Sequence, residues 1–379
     1  NIKNEILTNF EKKLYTLGLF VDFRKAFDTV HHSVLLEKLN NYGVRGVANR
    51  LIQNYLTDRY QYVAINQETS PRARVNKGVP QGSILGPLLF IVYVNNLCSI
   101  PDSPKLIMYA DDTNIFFAGS SISQLEKSVN TYLNKLSSWI KLNKLRLNAS
   151  KTKYILFAPI NKPRNISLSV SFEGQTLEQV KVQKFLGVWF QEDLSWNEHI
   201  NKLAADLSRS VGCMYKLSPL LPLWLKKALY YTLIYSRLSY CVLCWGTTTA
   251  QNYKTLLTLQ KKVLRLFEGY YGMPQGLSAR PLFPKYLILQ ANQIYYYKLL
   301  LYIQNNKLYP MYDSSRCAEY YLRTHSIRTP KTRTTYGQQH IDYQIPSLLN
   351  KLGDVLDLNK KTSKNKFKEF LLYNCIEYT

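Results

Sequence analysis

Residues 105–119 read KLIMYADDTNIFFAG, with Asp111 and Asp112 side by side between two apolar runs rich in Ile, Phe and Tyr. The apolar runs predict two strands, and the acids between them predict a tight turn. Such a hairpin presents the side chains of its turn at the end of a sheet, where a cation can reach them. The alternative is a solvated Asp-Asp turn, because Asp is common in turns.

A second apolar strand, YTLGLFVD at 15–22, also ends in an acid, Asp22, and Asp28 follows it. A single acid at a strand end is often a helix cap. Two strands that each end in a carboxylate, within a basic chain, favour a site where two divalent cations about 3.5–4 Å apart clamp the oxygens of a phosphoryl transfer. Mg²⁺ suits such a site because it accepts one or two protein carboxylates together with water and phosphates.

The charge balance indicates a polyanionic partner. The 379 residues include 49 Lys and Arg against 25 Asp and Glu, which gives a net charge of +24. An excess of this size along the whole chain is typical of nucleic-acid-binding proteins, with a solvated basic surface as the alternative. We predict no membrane-spanning helix, since no uncharged apolar run reaches about 18 residues. We also predict no signal peptide, because the first twenty residues mix acids, bases and Asn.

Cys241 and Cys244 form a C-x-x-C pair in the segment SYCVLCWG. A zinc site needs two further Cys or His residues at a matched spacing, and the other cysteines and the histidines are scattered. We therefore predict two small, buried, apolar side chains here rather than metal ligands.

Strand and helix patterns alternate over residues 15–190, which favours an α/β or α+β layered fold. The predicted helices of this part are 31–43, 47–56, the apolar end of 77–97, and 121–142, which opens with a capping box at Ser121 and Gln124. The predicted strands besides those named above are YQYVAIN (60–66), LRLN (145–148), TKYILFAP (152–159) and VQKFLGVWF (182–190). After about residue 195 the patterns predict helices at 197–217, 221–245, 252–269 and 285–307. The tail beyond 310 is basic and poorly patterned, and we expect it to be only partly ordered.

Five motifs occur in an order and spacing that resemble the reverse transcriptases of non-LTR (LINE-type, jockey-like) retrotransposons. They are FVDFRKAFDTV (20–30), GVPQGSILGPLLF (78–90), YADDT (109–113), LRLNASKTKYILF (145–157) and FLGVWF (185–190). The resemblance continues through LSWNEHI (194–200) and YCVLCWG (240–246) to HSIRTPKTRTTYG (325–337). It implies an α+β fold with a polymerase palm over 1–192, which is a ferredoxin-like antiparallel sheet with packed helices. A helical thumb-like domain over 193–270 and a basic C-terminal helical region over 271–379 are implied to follow.

The resemblance also implies roles for individual residues. Asp22 and Asp111 resemble the ligands of two Mg²⁺ ions, with Mn²⁺ as a substitute, and Asp112 completes this catalytic, metal-binding acidic cluster. Phe23 and Phe27 belong to the implied nucleotide-binding region. Phe27 resembles the steric gate that excludes a ribose 2′-hydroxyl, and a core aromatic side chain is the alternative for it.

Three further segments resemble substrate contacts. Gln81 and Gly82 resemble the loop under the incoming nucleotide, where a glycine permits close backbone approach, although a plain Pro-x-Gly turn is the alternative. Lys151 or Lys153 resembles the basic residue that meets the triphosphate, with a solvated lysine as the alternative. The primer grip is implied at Phe185, Leu186 and Gly187.

The reaction implied is attack of a primer 3′-hydroxyl on the α-phosphate of a dNTP, with an RNA template, a DNA primer and their RNA–DNA hybrid as partners. Neither a cellular address, nuclear or cytoplasmic, nor an oligomeric state is indicated. Members of this family carry a fingers region and an endonuclease domain upstream, and we expect this chain to be a fragment that lacks both. Two alternatives stay open at this stage. One is a catalytically inactive, nucleic-acid-binding remnant, and the other is an RNA polymerase or group II intron maturase with the same palm, against which Phe27 speaks.

Overall fold

The computed structural model describes residues 2–101, 104–163, 166–270, 278–309, 327–352 and 363–373. The chain divides into two compact units, one formed by Lys13–Lys181 and the other by Asn1–Lys12 together with Val182–Thr379. The domain boundaries implied by the resemblance, at 192 and 270, stay a prediction. None of the helices in the described ranges is long and apolar enough to cross a membrane.

The strands are, in chain order, β1 Tyr15–Val21, β2 Tyr60–Gln61, β3 Ala64–Ile65, β4 Glu68–Thr69, β5 Ala73–Arg74, β6 Lys105–Tyr109, β7 Asp112–Gly119, β8 Lys153–Phe157, β9 Ser171–Phe172, β10 Gln175–Thr176, β11 Glu178–Gln179, β12 Val182–Phe185 and β13 Val188–Gln191. The α-helices of the described ranges are α1 Ile2–Glu11, α2 His32–Asn41, α3 Gly46–Leu56, α4 Leu85–Val94, α5 Ile122–Leu142, α6 Asn197–Leu217, α7 Leu223–Leu229, α8 Ser236–Ser239, α9 Val242–Trp245, α10 Ala250–Phe267, α11 Leu282–Lys285 and α12 Ala291–Asn305, followed by Thr335–Gln338, Ile341–Leu352 and Lys364–Tyr373.

The unit Lys13–Lys181 is built on a five-stranded sheet in the order β11-β8-β1-β7-β6. The central strand β1 is antiparallel to both β7 and β8, β6 is antiparallel to β7, and only the short β11 pairs in parallel, with β8. A mainly antiparallel sheet together with packed helices confirms the α+β class. The finer arrangement into palm and thumb stays a prediction.

Side chains on the two faces of β1 have different surroundings, as the two-residue period of a strand requires. Leu17, Leu19 and Val21 belong to the core of this unit, together with apolar side chains of α2, α4 and α5. On the other face stands Gly18, where a Cβ atom would lie 2.9 Å from the ring of Phe157. Asp22 is even-numbered and follows β1 directly, so it emerges on the face of Gly18 rather than on the helix-covered face.

Several sequence predictions are confirmed. The segment 105–119 forms β6, the turn Ala110–Asp111 and β7. Helices α2, α4 and α5 lie within their predicted ranges, and α3 begins one residue before its predicted range. Ser121 caps α5 by accepting a hydrogen bond from the backbone N–H of Gln124, while the Gln124 side chain reaches the backbone N–H of Ser120 instead of that of Ser121.

Other predictions of secondary structure are wrong. The alternating segment 60–66 is not one strand, because β2 pairs with β5 and β3 with β4, and all four strands are exposed. The segment 182–190 is a hairpin instead of a strand, since Leu186 and Gly187 have φ of 44° and 79° and reverse the chain between β12 and β13. Residues 145–148 form only an isolated bridge, from Leu147 to Phe23.

The described part of the second unit is helical apart from the hairpin β12–β13, and its long helices α6 and α10 pack on one another. The predicted helix over 221–245 is interrupted, because a π-helical turn, Tyr230–Tyr235, follows α7, and Cys241 has a left-handed φ of 47° before α9. That prediction and the predicted burial of Cys241 are wrong, since Cys241 is exposed. Cys244 is partly buried, and burial raises the pKa of its thiol to about 12. Of the tail beyond 310, residues 327–352 and 363–373 include the three helices named last above, and the remaining residues of that prediction lie outside the described ranges.

Candidate active site

Asp22 and Asp112 lie opposite one another on neighbouring strands. The register between β1 and β7 pairs Val21 with Thr113, and continuing it by one residue places Asp22 across from Asp112. Directly opposite residues of an antiparallel pair have Cβ atoms about 4.5–5.5 Å apart, on the same face of the sheet. The two acids, which are far apart in sequence, are therefore neighbours at one end of the central strands.

Asp111 occupies the turn next to this pair. The two-residue turn Ala110–Asp111 is closed by the pair Tyr109 and Asp112, and Asp111, Asp112 and Tyr109 are all exposed. Ala110 has a φ of +53°, a left-handed conformation that costs an L-residue with a Cβ atom roughly 1–2 kcal/mol. Backbone strain of this kind recurs at functional sites, where the surrounding structure fixes it.

The three carboxylates are electrostatically coupled. Desolvation by burial, then the charge of Asp111 and then that of Asp22 raise the pKa of Asp112 above its usual range. No Lys, Arg or His of the described ranges forms an ion pair with any of the three. The site is therefore an uncompensated cluster of negative charge, which a bound cation stabilises.

The backbone of Asp22 is fixed on both sides by the segment after α5. Its N–H donates to Oγ1 of the fully buried Thr152 at 3.2 Å, and its carbonyl accepts from the N–H of Asn148 at 2.8 Å. These bonds explain how an acid beyond the last residue of β1 keeps a defined position. The role of Thr152 is not apparent from sequence, since a Thr within SKTK has no distinguishing pattern.

Phe23 and Phe27 are held by the core of the same unit. Phe23 is 5% exposed and its ring lies 6.5 Å from that of Trp139, so its side chain points away from Asp22. Phe27 is partly buried, with its ring centroid 4.6 Å from that of Phe90. Phe27 thus packs on α4 and is only partly buried, and its role as a steric gate stays a prediction.

The loop 78–82 is attached to the segment that carries Phe27. The N–H of Val79 donates to the carbonyl of Phe27 at 2.9 Å, and Nε2 of Gln81 donates to Asp28 at 2.8 Å. Gly82 is exposed, has a φ of +81°, and has nothing within 4 Å of a Cβ atom placed on it. The predicted nucleotide-binding residues 27, 81 and 82 are therefore in neighbouring segments.

The structure separates the two candidate lysines. Lys153 lies in β8 and forms an ion pair with Glu178 at 3.0 Å, whereas Lys151 is exposed in the turn that precedes β8. Lys151 is thus the one with a side chain available for an anionic ligand.

Phe185, Leu186 and Gly187 belong to the second unit and form the tip of the hairpin β12–β13. Phe185 is 8% exposed and contacts Phe190, with ring centroids 6.2 Å apart. The turn is fixed by Tyr240, whose hydroxyl donates to the carbonyl of Leu186 at 2.8 Å and whose ring would lie 3.0 Å from a Cβ atom at Gly187. This role of Tyr240 is not apparent from sequence, because nothing in YCVLCWG indicates a partner 54 residues away.

The donor set suits a divalent cation that takes part of its coordination from a substrate. Within the described ranges, no three side chains of His, Cys, Asp or Glu are grouped so that they could hold one metal ion by themselves. Asp22 and Asp112 nevertheless provide two facing, uncompensated carboxylates, and Mg²⁺ is commonly bound by one or two carboxylates plus phosphates and water. The residues present therefore fit the cation that the sequence predicts.

The family model and the similar curated proteins point to the same family. The sequence model of the family described as reverse transcriptase (RNA-dependent DNA polymerase) matches residues 2–190. The chain is similar to a probable RNA-directed DNA polymerase from transposon BS of Drosophila melanogaster, with 28% identity over 283 residues, 70% of this chain and 30% of that protein. It is also similar to the RNA-directed DNA polymerase from the mobile element jockey of the same organism, with 27% identity over 278 residues, 71% of this chain and 30% of that protein. The chain thus spans 30% of the length of these curated relatives.

Among solved structures, telomerase from Candida albicans in complex with a fragment of telomeric RNA aligns at 12% identity over 73% of this chain and 53% of that chain. The TM-score of 0.35 is too low to bear on the fold.

Proposed function

Residues 2–190 of this chain belong to the reverse transcriptase family, and from that premise we propose that the chain carries the nucleotidyl-transfer site of an RNA-directed DNA polymerase from a non-LTR retrotransposon. The proposal adds to family membership a specific site, formed by Asp22, Asp111 and Asp112. The observation that carries it is the placement of Asp22 opposite Asp112 with no basic partner in the described ranges.

Asp22 and Asp111 would hold two Mg²⁺ ions, or Mn²⁺ in their place, and Asp112, across from Asp22, would complete the acidic cluster. Such ions, when bound, supply Lewis-acid activation of the primer 3′-hydroxyl and neutralise the charge of the triphosphate. The protein contributes positioning, because the Asp22 backbone is hydrogen-bonded to Thr152 and Asn148, and the strand register sets Asp22 across from Asp112 beside the turn that carries Asp111. Positioning and electrostatic stabilisation account for most of the catalysis of phosphoryl transfer.

The neighbouring residues would bind the dNTP. Phe27, with one side of its ring held against Phe90, would stand where a ribose 2′-hydroxyl has to be excluded. Gly82 leaves open space for a nucleotide or template base, and Gln81 is oriented by Asp28. Lys151 has an exposed ammonium group for the triphosphate, and Phe23 acts through packing because it is buried.

An RNA template, a DNA primer and the hybrid that they form are the proposed partners. The net charge of +24 suits a phosphate backbone, for which affinity falls steeply with salt. The hairpin turn Leu186–Gly187 with Phe185 would serve as the primer grip. A palm at the sheet and a helical thumb after it would be the corresponding arrangement of the fold.

Primer extension on a homopolymer RNA template tests the proposal. We expect incorporation of dNTP with Mg²⁺ or Mn²⁺, and a loss of at least about 100-fold in Asp22→Asn and in Asp111→Asn, since each removes a carboxylate that would hold the cations. Glu37→Gln is the matched control, because Glu37 is an exposed acid on α2 of the same unit. Full activity in both Asp variants would contradict the assigned site.

A catalytically inactive, nucleic-acid-binding remnant is the second candidate. The net charge of +24 suits it, because binding to a phosphate backbone does not require a working catalytic site. It predicts salt-sensitive binding of an RNA–DNA hybrid with no incorporation under either metal, and with equal binding by the wild type and Asp22→Asn.

Replacing Phe27 by Ala tests its proposed role as the steric gate. It also tests the remaining alternative, an RNA polymerase or group II intron maturase. In an active enzyme we expect the ratio of kcat/KM for dNTP to that for NTP to fall by at least about tenfold, because a hydroxyl is no longer rejected by the ring. Phe27→Tyr is the conservative control that keeps the ring. An unchanged ratio in Phe27→Ala would remove Phe27 from the site.

A further inference from the structure

The ammonium group of Lys38, on α2, donates hydrogen bonds to three oxygen atoms outside α2. The acceptors are the backbone carbonyl of Tyr93 near the end of α4, Oδ1 of Asn96 in the turn after α4 at 2.8 Å, and Oδ1 of Asn143 at the end of α5. A protonated lysine has three N–H donors, so all of them are used here. None of the acceptors is charged, and Lys38 forms no ion pair within the described ranges. Because burying an ammonium group without a carboxylate partner is costly, these three bonds are its main compensation.

Aromatic side chains enclose this ammonium group. Nζ of Lys38 lies 4.7 Å from the ring centroid of Tyr93 and 5.6 Å from that of Trp139, which is within the range of a cation–π interaction. The buried Tyr93 hydroxyl donates to the backbone carbonyl of Asn143. Nε1 of Trp139 donates to Oδ1 of Asn96 at 3.3 Å. These five residues, which we call the Lys38 network, join α2 to the ends of α4 and α5.

The end of α5 continues directly into the backbone that supports Asp22. Asn143 caps α5, and five residues later the N–H of Asn148 donates to the carbonyl of Asp22 at 2.8 Å. The isolated bridge between Leu147 and Phe23 attaches the same two segments at the neighbouring residues. The backbone after α5 therefore has one end in the Lys38 network and is hydrogen-bonded at the other end to the proposed metal ligand.

Tyr93 extends the network toward the loop before α4. Its hydroxyl accepts a hydrogen bond of 3.3 Å from the N–H of His31. The next residue, His32, is bonded through Nε2 to the carbonyl of Gly78 at 2.8 Å, and the N–H of Gly78 donates to the carbonyl of Val30 at 2.7 Å. The loop that begins at Gly78 and carries the predicted nucleotide-binding glutamine and glycine is thus attached to the same network.

We propose that Lys38 is a positioning residue for the metal-binding site, because its three hydrogen bonds hold the end of α5 and, through it, the bond between Asn148 and Asp22. Lys38 acts through the backbone and not by contact with a substrate. The inference rests on the proposed function, since it assigns to Asp22 a part in nucleotidyl transfer. The alternative is a local role, in which the cation stabilises only the last carbonyls of α4 and leaves Asp22 unaffected.

The protonation state of Lys38 decides how many of these bonds exist. Desolvation by burial lowers the pKa of Lys38 to about 8, and the charge of Glu37, on the same helix, opposes this effect more weakly. A neutral amine has two N–H donors and a lone pair, so it serves only two of the three oxygen acceptors. Burial raises the pKa of Tyr93, which therefore stays neutral in this range, and the other members of the network do not ionise. Deprotonation of Lys38 above about pH 8 thus removes one bond of the network.

Hydrogen–deuterium exchange tests the support of Asp22 without catalysis. The whole chain in EDTA is compared with Lys38→Met, which keeps an unbranched side chain and removes the charge and all three donors. We expect the amide of Asn148 to exchange at least about tenfold faster in Lys38→Met, as its bond to Asp22 opens more often. Lys127→Met is the matched control, because Lys127 is an exposed cation on α5 outside the Lys38 network, and it should exchange like the wild type.

The pH dependence of primer extension separates positioning from a merely structural role. We expect kcat of the wild type to fall as pH rises through about 8, and kcat of Lys38→Met to be at least about tenfold lower at pH 7 and to lack that fall. Asn96→Asp places a carboxylate next to the ammonium group and raises the pKa of Lys38, so the midpoint of the fall should move up by about one pH unit or more. Asn95→Asp, the same change at an exposed neighbouring residue, is the control and should leave the midpoint in place.

Thermal unfolding shows which variants are folded, and Asn96→Asp, which keeps all the acceptors, decides the question if Lys38→Met does not fold. A folded Lys38→Met whose Asn148 amide exchanges like that of the wild type would overturn the inference. So would identical pH profiles for the wild type and Asn96→Asp, or faster exchange in Lys38→Met with an unchanged kcat. A chain that shows the change in exchange but incorporates no dNTP would contradict the proposed polymerase function and leave the support of the Asp22 backbone by Lys38 standing.

Discussion

The backbone N–H of Asp22 donates a hydrogen bond to Oγ1 of Thr152, a side chain with 0% exposure. This bond joins the end of β1 to the turn before β8 and fixes the backbone position of the proposed catalytic acid. A buried donor whose partner is removed costs about 1–3 kcal/mol.

Thr152→Val is therefore expected to lower the free energy of unfolding by about 1–3 kcal/mol, because Val keeps the shape and removes the acceptor. Thr152→Ser, which keeps the hydroxyl, is the control and should lose less. Urea unfolding of the three proteins measures the difference. Equal losses in Val and Ser would show that packing, and not the bond to Asp22, accounts for the effect.

Replacement of Asp112 by Asn should change how stability depends on pH. Because burial and the charges of Asp111 and Asp22 raise the pKa of Asp112, the folded protein binds this proton more tightly than the unfolded chain does. The stabilisation from that proton is present below the ordinary pKa of an Asp and is lost as pH rises through the raised pKa. We expect Asp112→Asn to unfold at a higher urea concentration than the wild type at pH 7. This gap between the two unfolding midpoints should close at acid pH.

Glu37→Gln supplies the comparison for that experiment, since it removes an exposed charge away from the cluster. A gap that persists unchanged at acid pH would mean that Asn stabilises the turn for reasons unrelated to charge. Millimolar Mg²⁺ should reduce the gap at pH 7 if the carboxylates bind it, as binding to the folded state alone raises stability.

The sequence predicts the strands that carry this site better than it predicts how those strands pair. The apolar runs around Asp111 and Asp112 identify β6 and β7, and the strand before Asp22 identifies β1, because each pattern is local. The pairing of β1 with β7, and with it the meeting of Asp22 and Asp112, depends on register between segments about 90 residues apart, which local patterns do not determine. For the same reason the sequence does not reveal the single bridge between Leu147 and Phe23, although 145–148 is predicted as a strand.

In the segment 182–190 the local pattern itself predicts the wrong element, one strand where the structure has a hairpin. Its apolar alternation is that of a strand, and a reversal at Leu186 is not expected from an L-residue with a branched side chain at a φ of 44°. The reversal is stabilised by Tyr240, a contact that sequence spacing does not reveal.

Gly187→Ala and Gly174→Ala form a matched pair that measures the contact with Tyr240. Gly187 has a φ of +79° and Gly174 a φ of +81°, so both substitutions carry a similar backbone cost, roughly 1–2 kcal/mol. A Cβ atom at Gly187 would lie 3.0 Å from the ring of Tyr240, whereas nothing lies within 4 Å at Gly174. We expect Gly187→Ala to be the more destabilising in urea unfolding, and the excess to disappear when Tyr240 is replaced by Leu in both members of the pair. An excess that survives in the Leu background would place the steric conflict elsewhere.

His199 should make the second unit sensitive to mild acid. Its side chain is buried, its ring lies 5.4 Å from that of Trp245, and its Nδ1 accepts a long hydrogen bond of 3.5 Å from the N–H of Trp189. The neutral ring then carries its hydrogen on Nε2, which is buried without a partner in the described ranges. Burial lowers the pKa of His199 to about 4, so the folded protein binds this proton less readily than the unfolded chain.

The stability contributed by neutral His199 is therefore complete above the ordinary pKa of about 6.5 and is lost as pH falls toward about 4. A difference of this size corresponds to at most about 3 kcal/mol between pH 7 and pH 4. We expect His199→Gln, which cannot be protonated, to show a smaller loss of unfolding free energy than the wild type over that range. His32→Gln is the control, as His32 is a partly exposed histidine in the other unit. Parallel pH profiles for the wild type and His199→Gln would mean that the imidazole at 199 binds its proton equally well in the folded and unfolded chains.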